Sequence, residues 1–239
     1  GADDHATWLD VRHARLREAP PAAATSALLA PPRARLPVPS QLGRGSAASA
    51  MLDLDTLEAN LVGTSVHEAL ERLTRVGLTD WSAQRDAWLR ALQAGLARRG
   101  LPAVRRPAAL RRIAALLDRA LAGAGRYLLQ DHRWARSEFA VSGVIDGRIT
   151  QGIIDRCFVN RAGELWVVDY KTNAAPATED HAPWHADLMA RYAPQLHRYV
   201  ELLAPLRPER PLRAILYLLD TDTLLDVSHP TPRTVQPPA

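Results

Sequence analysis

Two tight chain reversals constrain the fold of this sequence more than any other feature. The pair Asp146-Gly147 lies between two runs of alternating apolar and polar residues, and two-residue β-hairpin turns favour this dipeptide. The stretch 161–163 then places Gly163 where a three-residue hairpin loop needs a left-handed residue. The two reversals therefore predict an antiparallel meander of three strands. The predicted strands cover residues 137–145, 148–159 and 165–172.

The two turns also predict which side chains face each other. In this register Glu138 lies opposite Asp155, and Asp155 lies opposite Asp169. Lys171 stands two residues beyond Asp169 and is expected on the same face. Like charges about 5 Å apart repel by roughly 3 kcal/mol at an effective dielectric near 20, so such a row needs a cation. Carboxylate oxygens favour Mg²⁺ or Mn²⁺ over zinc, and a salt-bridge network around Lys171 is the structural alternative.

This set of groups suits the hydrolysis of a phosphodiester. A divalent ion held by Asp155 and Asp169 would lower the pKa of a bound water and polarise the phosphate. Glu138 would support these ligands or bind a second ion. The ammonium of Lys171 would position the attacking water or stabilise negative charge on the phosphate.

The rest of the chain predicts helices around the meander. Ser65-Val66-His67-Glu68 fits a capping box, so a helix is expected to begin at Thr64 or Ser65. Apolar periodicity predicts further helices and strands, which together indicate an α/β or α+β domain. These elements are helices at about 81–99, 107–130 and 187–204, and strands over 211–219 and 223–227.

Proline-rich segments predict the limits of the domain. Residues 1–50 are expected to form a Pro/Ala-rich linker and N-terminal extension, and residues 230–239 a flexible tail. The folded nuclease domain would then occupy residues 51–229.

Composition limits the classes of site and partner. The single cysteine, Cys157, excludes an internal disulfide and a four-cysteine zinc or iron–sulfur site within this sequence. No apolar run approaches the roughly 20 residues of a membrane-spanning helix, so we expect a cytoplasmic protein without a membrane partner. The formal net charge of +4 permits a polyanionic partner. The sequence contains no G-x-x-x-x-G-K-[ST] loop, so no ATP site is expected in it.

Four sequence elements resemble the PD-(D/E)XK nucleases in their RecB/AddA form, in the order found in that family. They span about residues 40–220, and the proline of the family's name is replaced by Ile154. The elements are Gly63-Thr64-Ser65-Val66-His67, Gly152-Ile153-Ile154-Asp155-Arg156, Val167-Val168-Asp169-Tyr170-Lys171-Thr172, and Tyr192 with Gln195-Leu196-His197-Arg198-Tyr199.

The resemblance implies a fold and a more complete site. The fold would be restriction-endonuclease-like α/β, with a central mixed sheet that contains the antiparallel meander and is flanked by helices. His67 would be a third metal ligand beside Asp155 and Asp169, and the backbone carbonyl of Tyr170 would complete the site. The cofactor would be Mg²⁺, with Mn²⁺ able to substitute and Ca²⁺ able to bind without supporting cleavage. The implied DNA-binding or supporting residues are Arg156, Tyr192, Gln195 and Tyr199.

The resemblance also implies a biological setting. In the RecB/AddA family the nuclease follows a helicase motor on the same polypeptide and works with a second helicase–nuclease subunit in double-strand break repair and recombination. The expected substrate is single-stranded DNA or an unwound duplex end. Two alternatives are a catalytically idle DNA-binding or scaffolding module and a stand-alone restriction-type endonuclease. Candidate phosphate contacts, or simply a solvated basic surface, are Arg98, Arg99, Arg105, Arg106, Arg111 and Arg112.

Overall fold

The structure, a computed structural model, describes residues 47–228 and 233–237. The predicted linker lies outside the described residues except for residues 47–50, which are helical. The described helices are α1 (Ala47–Val76), α2 (Asp80–Ala83), α3 (Arg85–Arg98), α4 (Arg106–Ala122), α5 (Ala124–Leu129) and α6 (Ala182–Leu203). A short 3₁₀ turn, Ala204–Leu206, extends the chain beyond α6. Within the described residues, no helix combines the length and apolar character that a bilayer crossing requires.

The predicted start of the first helix is wrong. Instead of beginning at Thr64 or Ser65, α1 begins at Ala47 and runs through both residues. The Thr64 hydroxyl donates a 2.9 Å hydrogen bond to the carbonyl of Asn60, an arrangement that accommodates threonine inside a helix. Leu61 and Val62 are also buried, so the apolar stripe continues upstream of the apparent cap.

Each of the two following predicted helices is divided in two. The segment predicted at 81–99 breaks at Gln84, and the segment predicted at 107–130 breaks at Gly123. A Cβ atom at Gly123 would overlap the Asp222 carboxylate, which accepts a 2.9 Å hydrogen bond from the backbone N–H of Ala124. This contact from the turn between β4 and β5 coincides with the end of α4 and the start of α5.

The six strands form one mixed sheet in chain order. Strand pairs are antiparallel except β3 and β4, which are parallel and are connected through α6. This topology confirms the predicted mixed sheet with an antiparallel meander and flanking helices. The last strand lies inside the segment predicted as a flexible tail, so that prediction missed it. The strands are β1 (Arg133–Ile145), β2 (Arg148–Val159), β3 (Leu165–Lys171), β4 (Leu212–Leu218), β5 (Thr223–Asp226) and β6 (Arg233–Val235).

Both predicted hairpin turns are present. Asp146 and Gly147 have positive φ angles of 48° and 72°, as a type I′ turn requires, and Ile145 pairs with Arg148. In the second hairpin the backbone N–H of Asn160 donates a 2.9 Å hydrogen bond to the carbonyl of Glu164. Between β1 and β2, the predicted register is confirmed at the residue pairs on both sides of Glu138. Between β2 and β3, it is confirmed from the second turn as far as the pair of Arg156 and Val168.

Helices cover both faces of the sheet. The helical layer of α1, α3, α4 and α5 packs on the face that carries Phe158, Trp166 and Val168. On the opposite face, α6 packs against Val167 and Leu216. The sheet is therefore buried on both sides where β3 and β4 run, which explains the continuous apolar sequence of these strands.

Candidate active site

A histidine and two carboxylates from three elements meet at the edge of the helical layer. His67 of α1, Glu138 of β1 and Asp155 of β2 each offer one ligand atom, and these atoms lie within 4.8 Å of one another. The Nδ1 atom of His67 is 3.3 Å from Oδ1 of Asp155. Among the described residues, no other group of three His, Cys, Asp or Glu side chains meets this criterion.

A left-handed residue on β1 directs this strand toward the histidine. Ser137 lies toward α1, with its hydroxyl oxygen 3.3 Å from that of Thr74. Phe139, only two residues further, packs on the α6 side. Residues two apart in a regular strand share a face, so the alternation is interrupted between them. The interruption coincides with Glu138, whose φ is 47°.

The same change of face occurs on β2. Ile154 packs on the α6 side, whereas the guanidinium of Arg156 donates hydrogen bonds on the side of the helical layer. Asp155 lies between them and turns toward His67 of α1. The predicted single row of acids assumed regular alternation, and that assumption is wrong here. The acids instead form two adjacent groups.

Asp155 also links β2 to the end of β3. The regular pairing of these strands ends at Arg156 and Val168. Beyond this point Oδ2 of Asp155 accepts a 2.6 Å hydrogen bond from the backbone N–H of Tyr170. One carboxylate oxygen therefore fixes the strand ends, while the other faces His67.

The second group contains Asp169 and Lys171 at the end of β3. Their alternation along β3 places them on the α6 side, and the Lys171 ammonium is 2.6 Å from Oδ2 of Asp169. The same ammonium lies 4.2 Å from the ring centroid of Tyr192 in α6. Asp169 is 3% exposed, so this ion pair is largely removed from water.

The two groups interact electrostatically. Burial and the charge of Asp155 raise the pKa of Asp169 to about 6, against the smaller opposing effect of Lys171. Burial and the same charge also raise the pKa of Glu138. Burial lowers the pKa of His67, but its hydrogen bond to Asp155 and the surrounding carboxylates outweigh that effect and raise it overall. Burial and the crowding of negative charge both favour the protonated carboxyls, and a divalent cation would relieve the crowding.

Two open clefts meet at His67. One, of about 580 Å³, is lined by Lys171 of β3 and two arginines, and the other, of about 460 Å³, is lined by Glu68, Glu71 and Glu138. A ligand in the first cleft would contact His67 and Lys171, and one in the second would contact His67 and Glu138. The lining of that larger cleft includes His67, Tyr170, Lys171, Tyr192, Arg105 and Arg112.

The predicted supporting residues of α6 divide into two kinds. Tyr192 contacts Lys171 through its ring. Gln195 instead donates a 2.7 Å hydrogen bond to the hydroxyl of Tyr199, which is buried against Gly152. Tyr192 therefore supports Lys171 directly, while Gln195 and Tyr199 stabilise the packing of α6 on β2.

Arg156 cannot meet DNA in the position that the structure gives it. It is 4% exposed, and its guanidinium donates hydrogen bonds to the carbonyls of Leu128 and Gln130 and to the hydroxyl of Ser137. These three bonds hold the end of α5 against β1 and β2. Of its two predicted roles, support fits this burial and DNA contact does not.

Most of the predicted phosphate-binding arginines are engaged within the chain. Arg99 pairs with Glu68, and Arg106 donates to the carbonyl of Leu101. Two others lie in the larger cleft and also pair with acids: Arg105 with Asp55 and Glu58, and Arg112 with Asp220. Arg98 and Arg111 are exposed. The segment therefore does not form the broad unpaired cationic surface that its composition suggested.

Sequence reasoning missed Asp220. This residue follows β4, whose backbone runs parallel to β3, so its position at the carboxyl end of a strand next to Lys171 was the available signal. It is about 13% exposed at the side chain and binds two arginines and a backbone N–H.

Comparisons with known proteins place the chain in a family. The crystal structure of SSO0001 is 18% identical to it, with a TM-score of 0.29 over 75% of this chain and 77% of that one, a likeness too low for structural inference. No curated protein sequence matches the chain at a significant level. The family model described as the PD-(D/E)XK nuclease superfamily matches residues 42–237, which is most of the sequence. The chain belongs to the PD-(D/E)XK nuclease superfamily.

Proposed function

We propose that this chain is a Mg²⁺-dependent deoxyribonuclease that hydrolyses phosphodiester bonds. The observation that carries the proposal is the meeting of His67, Glu138 and Asp155 ligand atoms within 4.8 Å, next to the buried pair of Asp169 and Lys171. A purely structural salt bridge would not require the additional histidine and two crowded carboxylates. Membership of a nuclease superfamily supports the same chemistry.

The ligand set fits a hard divalent cation. His67, Glu138 and Asp155 would hold it. Asp169 and the Tyr170 carbonyl are proposed as further ligands, because the charge of Asp169 interacts with Asp155 and His67 and the Tyr170 N–H is bonded to Asp155. Two to four oxygens with one imidazole suit Mg²⁺ or Mn²⁺ better than a purely sulfur and nitrogen set would. When bound, the ion would lower the pKa of a coordinated water and polarise the scissile phosphate.

The side chains around this position have separate tasks. The Asp155 carboxylate is oriented by the Tyr170 N–H, so its remaining oxygen is held toward His67 without further rearrangement. The Lys171 ammonium is fixed between Asp169 and the Tyr192 ring and is directed toward the cleft. In this position it would orient the attacking water or stabilise negative charge on the phosphoryl oxygens.

We also propose a setting for this nuclease, as one part of a helicase–exonuclease that acts in double-strand break repair. The motif order of the RecB/AddA type supports this setting. The partners would be a motor on the same parent polypeptide, a second helicase–nuclease subunit and DNA, in the bacterial cytoplasm. A domain supplied by a motor receives unwound strands, so single-stranded DNA should be cleaved faster than blunt duplex DNA. Equal rates on both substrates would contradict this setting.

The chemistry is tested with end-labelled linear DNA and three variants. We expect cleavage with Mg²⁺ or Mn²⁺, and a loss on the order of 10² or more in rate for Asp155→Asn and Lys171→Ala. Calorimetry should show Mn²⁺ binding to Lys171→Ala but not to Asp155→Asn. The matched control is Asp187→Asn, since Asp187 is exposed and pairs with Arg191, one turn away on the same helix.

The outcomes separate the alternatives. DNA binding without cleavage by the wild-type protein would favour an idle scaffold. A few discrete fragments from a dimeric protein would favour a restriction-type enzyme. Equal rates for wild type and Asp155→Asn would overturn the assigned site.

A further inference from the structure

The segment that follows Lys171 is tied to the helical layer by a network centred on Asp220. Oδ2 of Asp220 accepts a 2.7 Å hydrogen bond from the backbone N–H of Ala175, four residues beyond Lys171. Oδ1 accepts a 2.6 Å hydrogen bond from Arg112 of α4. The Asp220 side chain therefore joins the segment between β3 and α6 to the end of β4. Through its bond to Arg112, the same side chain also joins that segment to α4.

The backbone at Lys171 is part of the same network. The N–H of Leu219 donates a 3.0 Å hydrogen bond to the carbonyl of Lys171, which joins the ends of β3 and β4. The guanidinium of Arg112 also lies 3.5 Å from the carbonyl of Thr172. The carbonyl of Lys171 is thus contacted from the end of β4, and the carbonyl of Thr172 is contacted from α4. Asp220 connects these two elements.

Arg119 contacts Asp220 without reaching that segment. Its guanidinium is 2.9 Å from Oδ1 of Asp220 and also donates to the carbonyl of Asp220. Arg119 does not line the larger cleft, whereas Arg112 lines it together with Lys171 and Thr172. The two arginines therefore share one carboxylate oxygen but differ in their relation to the reactive lysine.

We propose that Arg112 and Asp220 are positioning residues that fix the backbone after Lys171 and so hold its ammonium in the reactive direction. This inference rests on the proposed nuclease function. Neither residue needs to touch DNA or metal for this role. A displacement of about 1 Å at a reactive group lowers turnover by up to about 10²-fold, so a tether at this place affects the rate of the chemical step more than binding.

The test compares Arg112→Ala with Arg119→Ala in the same protein. Each variant removes one guanidinium from Asp220 and leaves the other in place, so their losses of thermal stability should be similar. We measure kcat and KM for single-stranded DNA, together with the stoichiometry and Kd of Mn²⁺ by calorimetry. Expressing kcat per Mn²⁺-binding site corrects for any fraction of unfolded protein.

We expect Arg112→Ala to lower kcat per site about tenfold or more, with KM and the Mn²⁺ Kd changed less than about threefold. Arg119→Ala should stay within about twofold of wild type. Asp220→Asn keeps one acceptor oxygen, but its amide NH₂ group must face either the Ala175 N–H or the arginines, and it cannot accept a hydrogen bond from them. This variant should therefore reproduce the fall in kcat. This variant keeps the proposal testable if Arg112→Ala does not fold.

Three results would overturn the inference. Equal kcat values per site for Arg112→Ala, Asp220→Asn and wild type would leave the network a structural role only. Equal losses for Arg112→Ala and Arg119→Ala would have the same meaning. A raised KM with unchanged kcat would instead assign Arg112 to DNA binding. Failure of the proposed nuclease function has a different signature, because Lys171→Ala would then be as active as wild type.

Discussion

Lys171 is held by two neighbours that act differently on its ammonium. The carboxylate of Asp169 neutralises the charge at 2.6 Å, and the ring of Tyr192 offers the electron-rich face of an aromatic group at 4.2 Å. An ion pair alone leaves a long, flexible side chain several rotamers to occupy. The ring removes part of this freedom, so the direction of the ammonium depends on α6 as well as on β3.

Because Asp169 neutralises the ammonium and the Tyr192 ring restricts its direction, two substitutions of Tyr192 should have different effects. Tyr192→Phe keeps the ring face, and we expect its kcat to remain within about twofold of wild type. Tyr192→Leu keeps apolar volume but removes a cation–π contact worth roughly 1–2 kcal/mol, so kcat should fall about fivefold to thirtyfold. Single-turnover cleavage of a labelled oligonucleotide measures both. Equal rates for the two variants would show that the ring face does not contribute.

The raised pKa of Asp169 predicts a pH-dependent stability of the metal-free protein. Its pKa of about 6 lies above its ordinary value of 3.8 because burial disfavours the charged form. Such a carboxyl stabilises the folded state below its unfolded pKa, and this contribution is lost as the pH rises through about 6. Asp169→Asn does not ionise, so it should gain thermal stability relative to wild type between about pH 4 and pH 7.5.

Thermal unfolding in EDTA at these two pH values tests the prediction. The substitution also changes the contact with Lys171, so the change in the Tm difference between the two pH values, and not its size at one pH, reports the ionisation of Asp169. A difference in Tm that stays constant with pH would contradict the assigned shift. Excess Mg²⁺ should reverse the trend at the higher pH, where the carboxylate of the wild type is available as a ligand.

At the scale of elements, α6 reaches the site only because β2 leaves room for it. A Cβ atom at Gly152 would overlap the ring of Tyr199. We therefore expect Gly152→Ala to lower the free energy of unfolding by about 1–3 kcal/mol through overpacking. Gly95→Ala on α3 is the matched control, because the added methyl group meets only Arg98 at 3.9 Å and should stabilise the helix by roughly 0.5–1 kcal/mol. Urea denaturation of both variants measures these changes, and equal effects would contradict the packing described.

Local rules predicted the hairpins but not the limits of the helices. The turn at Asp146-Gly147 depends on two residues that favour positive φ, and no distant contact is needed to specify it. The start of α1 depends on apolar residues upstream, since Ser65 has the same sequence signature inside a helix as at a cap. The break at Gly123 depends on Asp222, almost a hundred residues away. Spacing along the chain contains no information about that contact.

The site was predictable to a similar extent. The register set by the two turns predicted that Glu138 and Asp155 are neighbours, and the i+2 spacing predicted that Asp169 and Lys171 share a face. The change of face at Glu138 was not predictable, because its left-handed φ is unusual for a glutamate. His67 came only from the family resemblance. Its helix gives no local sign that a carboxylate from β2 will meet it.

At the scale of the whole molecule, the proposed metal ligands come from both layers of the fold. His67 belongs to the helical layer, Glu138 and Asp155 belong to the sheet, and the Asp155 carboxylate connects the ends of β2 and β3. A cation bound here would therefore cross-link α1 to the sheet. Because the unfolded chain does not preserve this arrangement, binding should stabilise the entire domain rather than one loop.

This coupling predicts a large thermal shift. At a metal concentration about 100 times the Kd, binding contributes about 2.7 kcal/mol, which corresponds to roughly 5–11 °C in Tm for a domain of this size. Ca²⁺ is the suitable cation, since it is expected to bind without starting cleavage. Asp155→Asn retains an acceptor for the Tyr170 N–H but loses the charge, so its shift should fall to a small fraction of that of wild type. Asp187→Asn should keep the full shift, because its carboxylate is exposed and distant in sequence from the three ligands. An equal shift in Asp155→Asn and wild type would mean that the cation binds elsewhere, and the link between metal and fold would then be lost.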